Sequence, residues 1–163
     1  MDDPKNTLIG MHGYCTQELV NLLLVGKAVS NVHDEDRSLD GLVLKGIPKQ
    51  SEIGYLTTLE KYNTYIVGNK LKNPIYPIWV LYMESHFTVL FQLEQNNKDK
   101  IFDVHYYDEL GNQQEEYKIT VDITGENEKD SDEDDDLTPP LEDCIQSKWP
   151  NAYCNWNGSD PLL

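Results

Sequence analysis

An α+β domain organised around an antiparallel β-meander is the fold this sequence predicts, and three observations predict it. Between residues 75 and 123, four runs rich in aromatic and β-branched residues follow one another, joined by short polar links. Helical patterns flank these runs on both sides. The chain has 163 residues, 39% of them hydrophobic, which suffices for one core without disulfide or metal staples.

Taken in order, Thr16 stands where it can cap a helix over residues 16–25, and Gly26 stands where that helix ends. Its leucines, residues 19–24, are apolar on most sides, so a largely buried helix is expected. Residues 31–40 are polar and acidic and read as a loop; residues 41–47 read as a short extended stretch bounded by glycines and Pro48. Ser51 is placed to cap a second helix through about Tyr62, because Ile53, Leu56, Leu59 and Tyr62 fall on one helical face. The meander follows as strands over 75–82, 86–93, 101–107 and 117–123, with short links that favour antiparallel pairing. Pro74 and Pro77 suit a first strand that starts late or lies at an edge. Residues 108–112 read as a turn in which Gly111 or Asn112 can take positive φ.

Residues 126–136 carry eight acids against one lysine, which accounts for −7 of the net charge of −16 and leaves −9 elsewhere. A disordered acidic loop over 126–137 is expected, and Ser131, followed by acids, is a candidate phosphorylation site for an acid-directed kinase. Thr138-Pro139-Pro140-Leu141 reopens structure as a capped helix with Leu141, Ile145 and Trp149 at helical spacing, stopped by Pro150. The aromatic tail from Tyr153 is expected to dock as an edge strand or strap.

Composition excludes several classes of function. A net charge of −16 and a pI near 4.4 repel phosphate backbones, so neither nucleic acid nor an anionic membrane is an expected partner. No apolar run reaches the roughly 18 to 20 residues of a spanning helix, and the start lacks a signal-peptide layout. An intracellular location is expected, in the cytoplasm with the nucleus as the alternative. Cys15, Cys144 and Cys154 cannot complete a disulfide set and read as thiols in a reducing compartment. His12, His33, His86 and His105 show no zinc spacing with them; His12 and Cys15 come closest, and no metal or cofactor is expected. Asn157-Gly158-Ser159 is a glycosylation sequon by letters only.

Chemistry points to His86, which opens the second meander strand beside a turn where an imidazole can project into a cleft. Strand alternation puts His86, Thr88, Leu90 and Gln92 on one, more polar face, and Phe87, Val89, Phe91 and Leu93 on the other, expected to be core. A general base there needs a nucleophile. Cys15, near a helix start that would favour a thiolate, is the candidate within the chain, although its leucine-rich surroundings argue for a buried, inert thiol. Asp103, His105 and Asp108, on or after the third strand, are candidates to orient the imidazole, and periodicity does not choose among them. Trp79, Tyr82 and Phe87, apolar residues on strands, are expected in the core.

Several segments, taken together, resemble the C-terminal half of the catalytic domain of the MINDY family of deubiquitinases. They are His12-Gly13-Tyr14-Cys15-Thr16 with the leucines that follow, Gly26-Lys27-Ala28-Val29-Ser30-Asn31-Val32, Gly46-Ile47, Ile53-Gly54-Tyr55-Leu56, Pro77-Ile78-Trp79-Val80, Glu84-Ser85-His86-Phe87 and Tyr106-Tyr107-Asp108. Pro139-Pro140-Leu141-Glu142, Lys148-Trp149 and Asn155-Trp156-Asn157-Gly158-Ser159-Asp160-Pro161 resemble the fourth paralogue most. The resemblance covers residues 10–163, with residues 1–9 as a lead. It implies a partial papain-like, cysteine-protease-related domain acting on lysine-48-linked ubiquitin chains, with His86 as catalytic base. It also implies that the nucleophilic cysteine lies upstream, that Cys15 is not the nucleophile, and that these residues alone are inactive without the N-terminal half. The alternative is a non-catalytic module that binds ubiquitin or another protein on the same scaffold. A domain lacking half of its packing partners would expose apolar surface, here on the 19–24 helix.

Overall fold

The computed structural model describes residues 3–63, 66–94, 99–127 and 138–160. Its centre is a six-stranded sheet in the order β3-β4-β5-β6-β7-β8, comprising Gly54–Thr57, Ile78–Met83, His86–Phe91, Ile101–Tyr107, Tyr117–Asp122 and Tyr153–Asn155. From β4 onward every neighbour pairs antiparallel, as the meander predicts; β3 pairs parallel with β4. A separate hairpin joins β1, Arg37–Leu39, to β2, Leu42–Leu44. The helices are α1, Gln17–Val25; the single turn α2, Asn69–Lys72; and α3, Pro140–Lys148.

The core lies between α3 and one face of the sheet. Leu81, Leu90, Val104, Ile119 and Val121 from four strands meet Leu141, Cys144 and Ile145 of α3, all at 0–1% exposure. Burial on that scale stabilises by about 1.5 to 3 kcal/mol per large side chain, so this face holds the sheet flat against the helix. Trp156, after β8, closes one side by donating its indole N–H to Glu142 Oε1 at 2.8 Å, which satisfies a buried carboxylate. A second cluster on the other side gathers Val20 and Val25 of α1 with Val29, Val32, Ile47, Tyr55, Val67 and Leu71.

Several expectations change here. Residues 54–57 form a strand rather than the middle of a helix, because all four are buried between two packed layers, where a continuous apolar run suits a parallel strand. Gly54 sits where a Cβ would collide with the Trp79 ring and the Leu71 carbonyl, so the strand can approach β4 only with glycine there. Only residues Thr58–Glu60 turn helically, as a 3₁₀ segment capped by Thr57 Oγ1. The supposed loop over 31–40 contributes β1.

The α1 helix is not largely buried. Its covered face consists of Glu18, Val20, Asn21 and Val25, while Leu23 is 76% exposed. Polar bonds fix this rotation: Asn21 Nδ2 donates to the carbonyls of Val29 and Asn31 at 2.8 and 3.0 Å, and Asn6 Nδ2 donates to Glu18. Gly26 ends the helix in the left-handed conformation as expected, but Thr16 Oγ1 donates back to Thr7 and Leu8 instead of capping. At α3 likewise, Pro139 takes the cap position and no side chain bonds the first turn, so Thr138 does not cap it. Asn112, not Gly111, takes the positive φ after β6, and β8 is the expected edge strand.

Of the acidic loop expected over 126–137, residues 128–137, with the candidate phosphosite Ser131, lie outside the described residues. Among the described residues no helix is long and apolar enough to cross a membrane, and no group of three or more His, Cys, Asp or Glu side chains is placed to hold a metal ion.

Candidate active site

His86 is the first residue of β5, paired across the hairpin with Met83. A two-residue turn, Glu84-Ser85, connects the strands, and both residues have positive φ, 48° and 66°. A right-twisting hairpin this tight requires that conformation, which asparagine and glycine adopt freely and Glu84 and Ser85 adopt at a cost of about 1 kcal/mol each. The strain fixes the point at which the imidazole leaves the sheet. Local strain of this kind is characteristic of functional sites.

The face on which His86 lies is the reverse of the one expected. Thr88 and Leu90, which share its side of the strand, are buried under α3, while Phe87 and Val89 are each 37% exposed. Because α3 and Trp156 pack against the Leu81–Leu90 side, that side becomes core; the more carbon-rich side is covered only where Tyr55 and Tyr82 meet the α1 cluster. His86 thus stands at the end of the covered face, where packing below fixes the strand and the ring remains 34% exposed.

The structure chooses among the three candidate partners. His86 Nε2 lies 2.8 Å from Asp108 Oδ1, and the Asp108 side chain is only 16% exposed. Register explains the meeting: β5 pairs Leu90 with Tyr106, and carrying that register two residues further sets Asp108 across from Thr88, beside His86. Asp108 is itself held. Its Oδ1 accepts the Leu110 N–H at 2.9 Å, and its own N–H donates to Gln113 Oε1 at 2.7 Å. Asp103 and His105 point to the opposite face, where Asp103 pairs with Lys118 and Thr120 at 2.7 Å each and His105 stacks on Phe91. Lys118 holds the Asp103 carboxyl below its ordinary range.

An ionised carboxylate only accepts hydrogen bonds, so in the neutral ring Asp108 draws the proton to Nε2 and leaves Nδ1 with its lone pair. A base oriented by a third group and open on its other nitrogen is one half of a nucleophilic site. None of the chain's cysteines completes it. Cys15 is exposed, lies 3.5 Å from its neighbour's carbonyl, and has its pKa raised by loss of solvation, which outweighs a backbone hydrogen bond from Val20 and is the wrong direction for a nucleophile. Burial pushes the Cys144 thiol far above its ordinary value, and Cys154 is buried within the edge strand β8.

The family model described as "Deubiquitinating enzyme MINDY-3/4, conserved domain" matches residues 1–158. The chain belongs to the MINDY-3/4 family. It is 51% identical over 172 aligned positions to the human and the mouse proteins called probable ubiquitin carboxyl-terminal hydrolase MINDY-4, covering 99% of this chain and 22% and 23% of theirs. A MINDY-3 homologue of Drosophila melanogaster is 45% identical over 96 positions, covering 58% of this chain and 17% of that protein. The chain therefore spans less than a quarter of the length of these MINDY relatives. No solved structure matches.

Asp108 was one of three open candidates in the sequence. The signal that could have singled it out is strand parity: in β6, Val104 and Tyr106 share a face with Asp108, whereas Asp103 and His105 do not.

Proposed function

We propose that residues 10–163 are the C-terminal part of a papain-like catalytic domain, in which His86 is the general base of a cysteine-type deubiquitinase. The observation that carries the reading is the His86 Nε2–Asp108 Oδ1 bond of 2.8 Å, which leaves Nδ1 free toward a nucleophile. A cysteine upstream of this chain attacks the isopeptide carbonyl as its thiol proton passes to His86 Nδ1; the protonated ring then gives that proton to the departing lysine amine. Asp108 stays ionised and stabilises the imidazolium while it exists. Water attacks the thioester next, with His86 again taking the proton, and the cysteine is restored.

The names of the relatives support ubiquitin as substrate, and the family resemblance supports lysine-48 linkages. An intracellular, cytoplasmic location is part of the same proposal, and the three free cysteines support it. The exposed Phe87, Val89 and Tyr107 side chains favour a second reading, a ubiquitin-binding module without catalysis.

The test is cleavage of lysine-48-linked diubiquitin by the protein read in frame with its upstream sequence. His86→Ala is expected to lower kcat/KM by about 10² to 10⁴, the usual contribution of a positioned base. Residues 1–163 alone should cleave nothing. Undiminished cleavage by the His86→Ala protein contradicts the assignment, and cleavage by the isolated chain that Cys15→Ala removes would transfer the nucleophile to Cys15.

A further inference from the structure

At the end of the β4–β5 hairpin away from its turn, a cavity of about 340 Å³ opens between the sheet and the end of α3. Trp79, Phe102 and Trp149 line it as packed aromatic walls; Trp149 meets Trp79 edge-on at 5.6 Å and Phe102 at 5.0 Å between ring centroids. Lys148, the last residue of α3, also lines it, with Nζ 4.8 Å from the Trp149 centroid and 5.1 Å from that of Trp79.

The bonding of this ammonium is incomplete. It donates to Lys72 O at 2.7 Å and to Asn73 Oδ1 at 2.8 Å, both neutral oxygens, and an ammonium has three donors. None of the ion pairs found among the described residues involves Lys148, whereas the neighbouring Lys72 is paired with Glu60 at 3.0 Å. A unit charge is thus held among aromatic rings with a donor left over, beside an open cavity. Desolvation, followed by the charge of Lys72, lowers its pKa to about 8, which leaves it charged at neutral pH.

We propose that this cavity binds a carboxylate carried on a flat or apolar body, the carboxylate taken by the third Lys148 donor and the body lying against Trp79, Phe102 and Trp149. The Gln92 side chain on the wall adds an amide, while Asp99, also on the wall, repels any anion and a doubly charged phosphate more strongly than a single carboxylate. Two sources supply that chemistry, the free C-terminus of a peptide and a free aromatic acid. The site is separate from His86 and does not depend on the catalytic reading.

The test follows the indole N–H signals of Trp79 and Trp149 by two-dimensional NMR on the full chain, with the Trp156 signal, held by Glu142, as internal reference. Benzoate probes the free acid, and N-acetylglycylphenylalanine probes the peptide terminus; benzamide and the corresponding peptide amide are neutral controls. Saturable shifts at Trp79 and Trp149 with either acid, at least about tenfold tighter than its amide, support the site, and the better of the two identifies the source. Lys148→Met is expected to abolish the preference for the acid. No saturable shift with either acid, or equal binding of acid and amide, overturns the proposal, and that comparison needs no variant to fold.

Discussion

The helices α1 and α3 are each nine residues long with four buried residues apiece, and α1 is the more apolar, yet the apolar side chains of α3 are the more deeply buried. In α3, Leu141, Cys144 and Ile145 meet the sheet at 0–1% exposure; in α1, Leu23 stands at 76% and Asn21 is the fully buried residue. Apolar content therefore does not by itself say which helix organises a core. The α3 side chains oppose a matching set from four strands, while α1 is oriented by the amide of Asn21 and by Glu18, with Val20 and Val25 in the second cluster and Leu23 turned outward. We infer that α1 carries apolar surface for contacts that these described residues do not provide, in line with relatives more than four times longer.

The contrast can be broken most sharply through the cysteines. Cys15 lies just ahead of α1 and is exposed, whereas Cys144 faces the core from α3. A thiol reagent is expected to label Cys15 in the folded chain more than about a hundredfold faster than Cys144, with mass spectrometry locating the adduct. Comparable rates would mean that the core around Cys144 opens readily in the folded chain.

Stability gives the next largest difference. Leu141→Ala should cost about 2 to 5 kcal/mol, because it removes a fully buried side chain from a closely packed layer. Leu23→Glu should change stability by no more than about 0.5 kcal/mol and should reduce self-association of the isolated chain, which light scattering would detect. A monodisperse wild-type monomer at high concentration contradicts the inference about α1.

A smaller effect separates Lys148 from the rest of α3. Its folded pKa of about 8 lies below the ordinary 10.5, so between these values the unfolded chain binds the proton more fully than the folded one. Stability from this group accordingly rises as pH increases from about 8 to 10.5, and below 8 its buried charge is a steady penalty. Denaturant melts across that window should show the rise in wild type and a flatter profile in Lys148→Met.

Much of the fold was legible from local pattern. The four meander strands, the late start forced by Pro77, the Gly26 stop and the edge strand of the tail all rest on short-range chemistry, and the structure keeps them. What failed depended on contacts distant in sequence. Residues 54–57 have helical spacing with their neighbours, but burial on both sides between β4 and the α1 cluster makes them a strand. The alternation of β5 is the one the sequence predicts, with its faces exchanged, because only the position of α3, about fifty residues later, decides which side is core. His86 was visible as a turn histidine on a strand, while Asp108 needed the β5–β6 register. That register follows from pairing, which no single segment encodes.

The central claim is that Asp108 holds His86 as the Nε2–H tautomer with Nδ1 available as a base. It is tested most directly by long-range ¹⁵N–¹H NMR of the His86 ring in the isolated chain, at a pH where the ring is neutral. The account predicts a protonated Nε2 and an unprotonated Nδ1, with that preference weakened in Asp108→Ala. A ring protonated mainly at Nδ1, or a tautomer indifferent to Asp108, would contradict it.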